Sequence, residues 1–314
     1  MGAEYQFCYE QIHIDAARNA TDDFNPFHEP RKCFRIRGNP YPGSIVLGFQ
    51  LECLVEYLVT LYRNHHDEFR WIEDQGLAYS NYHLTFADAL LPGERFSVDI
   101  KPTHRQNAPP TLANRVIVRK ETGFVLMGYK RETAYPLCMA DLQFGSLPDL
   151  RKAKDRAFLA GTDWFLKRKF MSTGNAKNFL AGSLADQGYF FDELEGRANF
   201  PDMFPCSLVS CALLEKAVHE GHDFIAEPVV YLSHTISVDR RLARSLRSNE
   251  ALHMLVRGPL LTLAEGERGL IGSGAVKQLY GCVGLVRNQQ ILYRCEVSLV
   301  SLDGIVSARI PKAA

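Results

Sequence analysis

The chain has no surplus charge of either sign: lysine plus arginine and aspartate plus glutamate each number 36 among 314 residues. Non-specific nucleic-acid binding draws on a basic excess, so nucleic-acid partners are set aside. No Cys-x-x-Cys pair or zinc-ribbon spacing occurs among the eight cysteines, at positions 8, 33, 53, 138, 206, 211, 282 and 295. Several lie in apolar runs, where a free thiol behaves as a small hydrophobe. The pattern implies a reducing compartment, with no metal centre and no cofactor. The N-terminal stretch Met1-Gly2-Ala3-Glu4-Tyr5-Gln6-Phe7 lacks the basic region and apolar core of a secretory signal. Gln6 also breaks the myristoylation pattern that Gly2 begins. The longest apolar run, Ile45 to Tyr62, is interrupted by Gln50, Glu52 and Glu56, so a buried helix is expected and no membrane span. The expected location is cytoplasmic.

What is present is ordinary globular composition, 46% hydrophobic and 23% charged. At roughly 100–200 residues per domain, the length suggests two domains. Residues 12–20 read as a short helix and 44–63 as a long one, apolar around most of its circumference. Strand-like runs follow at 79–88, 95–104, 113–120 and 123–135, with turn signals at Pro92-Gly93 and Thr122-Gly123. The order then repeats. A second long helix is expected at 205–219, then strands at 228–239, 250–257, 269–286 and 290–303. The helices lie about 159 residues apart, an offset at which Glu56 meets Glu215, Leu54 meets Leu213 and Pro42 meets Pro201. The expectation is an α+β fold built from a duplicated unit: residues 1–145, a polar and basic linker 146–160, and residues 161–314.

The chemistry concentrates in Asp23-Phe24-Asn25-Pro26-Phe27-His28. A carboxylate and an imidazole sit five residues apart across an Asn-Pro turn whose proline fixes one backbone angle. About twenty residues on, Ile45-Val46-Leu47-Gly48-Phe49 places a glycine inside an apolar segment. An acid, a base, a stiff loop and a glycine opening a buried helix suit acid–base work on an acyl substrate. His titrates near neutral pH, and a buried carboxylate can be tuned toward it. A backbone N–H at a helix N-terminus supplies a donor and the positive end of the dipole to a developing oxyanion. Glycine there lets a substrate approach the amide closely.

Asp23-x-Asn25-Pro26-x-His28, then Ile45 to Phe49, then Leu84-Thr85-Phe86 with Leu91-Pro92-Gly93-Glu94, resembles the MaoC-like (R)-specific enoyl-CoA hydratases over about residues 10–135. The resemblance implies a double hot-dog fold: two long buried helices, each wrapped by an antiparallel sheet. It implies that Asp23 and His28 form the catalytic pair, with Asn25 and Gly48 at the substrate and the Gly48 amide facing the thioester oxygen. It also implies interconversion of trans-2-enoyl and (R)-3-hydroxyacyl thioesters of coenzyme A or acyl carrier protein. Leu47 stands where the family often has histidine, and about two extra residues separate His28 from the helix. The second half carries no copy of the motif: Asp186 to Gly196 has neither Asn-Pro nor His. Asn199-Phe200-Pro201 and Pro205-Cys206 faintly resemble fatty-acid dehydratase segments whose histidine, glycine and acid are here Asn199, Cys206 and Cys211.

Two other readings stay open. One is a thioesterase or acyltransferase on the same fold, with Cys206 as nucleophile at a helix N-terminus or Glu52 positioning water. The other is a non-catalytic subunit that binds acyl thioesters. His65-His66 and the His219/His222 pair lie just past helix ends, where histidine complements the dipole, and His83 and His104 read as structural. Basic residues cluster at Arg151 to Arg156, Lys167 to Lys169, and Arg240, Arg241, Arg244 and Arg247; a phosphate at the pocket mouth needs such charges, but most charge runs are solvated faces and the sequence assigns no phosphate ligand. A duplicated unit contains its own pairing, so a monomer and a homodimer are both allowed.

Overall fold

The computed structural model describes residues 2–137, 139, 147–263, 275–287 and 289–309. The expected boundary at 145/146, Cys138 and the beginning of the expected 269–286 strand lie outside these residues. In chain order the first elements are β1 (Ala3–Cys8), α1 (Gln11–Thr21), α2 (Gly48–His65), α3 (Glu68–Asp74), β2 (Tyr79–Phe86), β3 (Arg95–Ile100), β4 (His104–Asn107), β5 (Pro110–Lys120) and β6 (Gly123–Thr133). There follow β7 (Ala157–Phe158), β8 (Phe165–Phe170), α4 (Thr173–Gly182), α5 (Gln187–Phe190), β9 (Phe191–Asp192), β10 (Arg197–Ala198) and α6 (Met203–His219). The chain continues through β11 (Val229–Asp239), α7 (Arg240–Arg244), β12 (Ala251–Leu263), β13 (Val276–Val286), β14 (Gln290–Ser301) and α8 (Leu302–Arg309).

One antiparallel sheet carries both long helices. Its 12 strands run β1-β3-β5-β6-β2-β11-β14-β13-β12-β8-β7, with β4 on β5. The join is β2 against β11, from Ser233 opposite Thr85 to Asp239 opposite Tyr79. Pairing these two strands gives each a partner on both sides and removes an exposed edge from either half.

The core lies between that sheet and the helices α2 and α6, which also contact each other. Apolar side chains of α2 such as Phe49, Leu54, Val55 and Val59 are fully or almost fully buried. Four polar residues of α2 are buried too, and each has a partner, as buried polar groups require. Gln50 donates to the Gly182 carbonyl at 2.6 Å. Glu52 meets His234 of β11 at 2.9 Å. Glu56 accepts the backbone N–H groups of Asp202 and Met203 at 2.7 and 2.8 Å. Arg63 bonds Asn114 and Glu132. Burial alone would raise the Glu132 carboxyl, but Lys130, Arg63 and Arg240 pull it down to about 2.

Helix α2 begins at Gly48, four residues later than the apolar pattern suggests. Ile45 and Val46 give their N–H groups to the carbonyls of Phe27 and Leu90, at 3.0 and 2.9 Å. That keeps the chain extended until Leu47 and leaves Gly48 as the first helical residue.

Candidate functional site

The Asp23 loop is built by the end of α1. Asp22 adopts the left-handed conformation at φ 53° and caps the helix by donating its N–H to Arg18. Asp23 follows and turns inward, so Asp22 is exposed and Asp23 buried. Asp23 Oδ1 then accepts the Asn25 N–H at 2.9 Å, and Asn25 Oδ1 accepts the Phe27 N–H at 3.1 Å. These are Asx turns, which close the loop without help from elsewhere. Pro26 opens a single 3₁₀ turn ending at His28.

His28 is buried, and its Nδ1 lies 2.8 Å from the Ile45 carbonyl oxygen. A carbonyl only accepts, so Nδ1 carries the proton and Nε2 is left with the basic lone pair. The same residue, Ile45, gives its N–H to the Phe27 carbonyl. Two hydrogen bonds thus bind the loop to the segment that leads into α2.

His28, Asn25 and Gly48 line one cavity of about 470 Å³, a size ordinary for a small-molecule site. Asp23 lies behind this wall, close enough that its charge acts on Tyr231, which does line the cavity. Gly48 faces Phe86 and Tyr231: a Cβ there would stand 2.9 Å from Phe86 Cζ and 3.4 Å from Tyr231 Cδ2. Gly48 thus lines the cavity at the start of α2, and the absence of a Cβ lets the Phe86 ring pack against it.

The other wall comes from α6 and β11. Ser210, Leu213, Leu214 and Ala217 form one stripe of α6 along the cavity, at the spacing of a single helix face. Exposure rises along it, from 4% at Ser210 through 8% at Leu213 to the exposed Glu220. The deep end is therefore at Ser210, beside Gly48 and Tyr231, and the mouth is at Glu220 to Glu227. Ser210 Oγ and Tyr231 Oη are hydrogen-bonded at 2.7 Å. Burial, and then the Asp23 charge, push the Tyr231 phenol well above its ordinary range, so it stays a hydroxyl.

Tyr231 reaches this position because β11 bulges. Register against β14 shifts between Tyr231 and Ser233, and the inserted Leu232 re-aims the strand. Without the bulge, residues 231 and 234 would face opposite sides. With it, the rings of Tyr231 and His234 meet at 4.5 Å, and both pack on Phe49 and Phe86.

The alternative candidates lie elsewhere. Cys206 is fully enclosed and does not line the cavity. Burial, and then the carboxylates of Asp202, Glu56 and Glu52, push its thiol well above the ordinary range, the reverse of what a nucleophilic thiolate needs. Glu52 is fully buried, bonded to His234 and absent from the cavity wall. Among the described residues, no cluster of His, Cys, Asp or Glu has metal-site geometry. No helix among them is long and apolar enough to cross a membrane.

Most of the basic clusters are occupied. Arg151 pairs with Asp149, Arg156 and Lys167 with Glu215, Lys169 with Asp22, and Arg240 and Arg244 with Glu73. The Arg240 to Arg247 group also sits at the far end of β11 from the mouth, about 30 Å away at the rise of a strand. None of these cations lines the cavity.

No family model and no curated protein matches the sequence. The fold does match solved structures. One is a conserved hypothetical protein from Mycobacterium tuberculosis described as having a double hotdog fold, at 13% identity and TM-score 0.57, covering 96% of each chain. A MaoC-like dehydratase matches at 9% identity and TM-score 0.56, over 94% of this chain and 96% of its own. A MaoC-like dehydratase from Phytophthora capsici matches at 11% identity and TM-score 0.50, over 94% of each chain. At these identities the likeness is one of fold: the chain is a double hot-dog, with its two helices on one shared sheet.

Proposed function

We propose that the chain is a hydratase or dehydratase that interconverts trans-2-enoyl and (R)-3-hydroxyacyl thioesters, with one active site at the Asp23 loop. The observation that carries this reading is the junction of loop and helix. His28, with its Nδ1 proton fixed on Ile45, and Gly48 at the N-terminus of α2 line the same cavity. Asp23 is held by the same loop.

In the hydration direction, His28 Nε2 holds a water beside C3 of the enoyl thioester and takes its proton, with the Asp23 carboxylate acting from behind the cavity wall. The water oxygen bonds to C3, the C2=C3 double bond gives up its pair, and C2 receives a proton. The net change is one water added, and the reverse removes it. Charge that gathers on the thioester oxygen during the reaction is met by the Gly48 N–H and the helix dipole, the kind of fixed donor that lowers such barriers most. No step draws on a metal or a redox group. A thioesterase reading would rest on Cys206 or Glu52, and an enclosed protonated thiol and a carboxylate engaged by histidine support it less.

The test is loss of the conjugated-thioester absorbance of crotonyl-CoA and a longer enoyl-CoA, with chiral analysis of the product. Wild type should form the (R)-3-hydroxyacyl product. Asp23→Asn and His28→Ala should each be slower by about 10²–10⁴-fold, the usual worth of a positioned acid or base. Unimpaired turnover in either variant, or no turnover by wild type of CoA-bound and carrier-bound enoyl thioesters alike, would overturn the proposal.

A further inference from the structure

The sheet has a second face, away from the helices, and one part of it is hollow. On β2, Leu84 and Phe86 turn toward the core, and Phe86 lines the cavity described above. His83 and Thr85 alternate to the opposite face, where they line a separate groove of about 390 Å³. The two linings have no residue in common.

The groove forms because a small residue sits among large ones. Ala113 of β5 lies opposite Arg131 of β6 on one side and His104 of β4 on the other. Two residues along β5, Arg115 lies opposite Tyr129, and Tyr129 lies opposite His83. Side chains directly opposite in antiparallel strands have Cβ atoms about 4.5–5.5 Å apart, so these residues share one patch, and all of them line the groove. The Tyr129 ring ties the patch together. Arg131 Cζ lies 4.8 Å from its centre, and the centre of the His83 ring lies 5.6 Å from it. His83 is held in turn by Thr235 of β11, Nδ1 to Oγ1, at 3.0 Å.

Charge sets this patch apart. Its described lining carries two arginines and two histidines and no carboxylate. Neighbouring cations on the same strands are matched: Arg105 with Glu68 at 3.7 Å, Arg119 with Asp99 at 3.6 Å, and Lys130 with Glu132 at 2.5 Å. Among the described residues, Arg115 and Arg131 have no carboxylate partner. A guanidinium resting on a ring face has less freedom to lose when it takes up a ligand. In a chain of zero net charge, a hollow walled by unmatched cations is a concentration that packing does not require.

We propose that this groove binds a phosphate group, free in solution or carried on a lipid headgroup, on the face of the sheet opposite the acyl cavity. Arg115 and Arg131 supply the N–H forks that match phosphate oxygens in pairs, with His104 beside them across Ala113. A carboxylate fills one such fork, whereas a phosphate has oxygens for two. The site shares nothing with the hydratase reading and stands whether or not that reading holds.

The test uses the full chain, with inorganic phosphate as the calorimetric ligand and chloride at matched ionic strength as the background. Wild type should bind phosphate, and Arg115→Gln/Arg131→Gln should bind it about 10–100-fold more weakly. Ala113→Leu keeps every charge and fills the hollow with an apolar side chain; it should abolish binding, which a diffuse positive field would not do. Arg119→Gln, on the same strand but matched to Asp99, should bind as wild type does. Thermal melting in chloride checks that each variant keeps its fold. Flotation with phosphatidylcholine vesicles containing phosphatidic acid separates the two sources. Arginine-dependent flotation assigns the phosphate to a lipid headgroup, and phosphate binding without flotation assigns it to a soluble ligand; either upholds the site. A wild type that neither binds phosphate nor floats would overturn the proposal, as would wild-type affinity in the double variant or in Ala113→Leu.

Discussion

Gly48→Ala separates the chemistry of the site from the stability of the fold. The added methyl would stand 2.9 Å from Phe86 Cζ and 3.2 Å from Phe86 Cε1, about half an ångström inside ordinary contact. Phe86 is hemmed by His234 and Tyr231, with ring centres 5.1 and 6.3 Å away, so it yields only by a small tilt. Overpacking of this kind costs about 1–3 kcal/mol. Alanine in place of glycine in a helix returns about 0.5–1 kcal/mol. The two nearly offset each other, and the melting temperature should move by no more than a few degrees. The methyl would nonetheless stand among the cavity-lining residues, and on the proposed reading it crowds the approach of the thioester oxygen to the Gly48 amide. Losing one donor to a developing oxyanion costs about 10²–10³ in kcat, so kcat should fall about 100-fold. The assay pairs enoyl-CoA turnover with thermal melting of the same preparation. A variant that melts like wild type and keeps wild-type kcat would refute the role given to the Gly48 amide.

Three further outcomes are expected. Tyr231→Phe removes one hydroxyl of the Ser210–Tyr231 pair at the deep end of the cavity and should lower kcat/KM about 3–10-fold, the worth of one neutral hydrogen bond; unchanged steady-state kinetics would show that the pair only closes the wall. Burial, reinforced by Asp202, raises the Glu56 carboxyl to about 8, so the folded chain keeps a proton that the unfolded chain releases above about 4.5. Stability should therefore fall as pH rises from about 4.5 to about 8, by at most about 5 kcal/mol, and level off beyond; urea melts of Glu56→Gln that keep the wild-type slope across this range would refute it. Cys206 should resist alkylation in the native chain, and Cys206→Ala should keep wild-type turnover; rapid native labelling with loss of activity would restore the nucleophile reading.

What the sequence disclosed was local. Asp23, Asn25, Pro26 and His28 close their own turns through hydrogen bonds spanning two or three residues, so the loop is legible in six letters. The two long helices were equally plain, because their apolar surface leaves them nowhere to go but under a sheet. The start of α2 was misjudged by four residues for a physical reason. Ser44 to Leu47 suits a helix, but the N–H groups of Ile45 and Val46 are taken by Phe27 and Leu90. Tyr231 and Ser210 escaped notice because neither carries a local signal. They meet Gly48 only through the pairing of β2 with β11, and the bulge at Leu232 hides from a period-two pattern the face that Tyr231 shares with His234. The basic runs show the opposite limit. A run of cations is conspicuous as letters, whereas most of its members are matched to carboxylates in space.

The asymmetry between the two helices follows from a single side chain. At the N-terminus of α2 the first residue, Gly48, lines the cavity. At the N-terminus of α6 the backbone donors of Asp202 and Met203 are already taken by the two oxygens of the Glu56 carboxyl, which reaches across from α2. The donors of this helix N-terminus are thus bonded within the protein, by a carboxyl that burial raises to about 8. Aromatic rings pack at this helix start as well: Phe204 stacks on Phe200 and meets Phe179 at a tilt, with ring centres 5.9 Å apart in each pair. The N-terminus of the second helix is therefore spent on a bond that fixes the two helices together. Its remaining contribution to the cavity is the stripe from Ser210 to Ala217, which shapes the pocket whose reactive end the first helix supplies. On the proposed reading the two copies of one architecture divide the work: α2 brings its N-terminus to the substrate, and α6 forms a wall of the cavity.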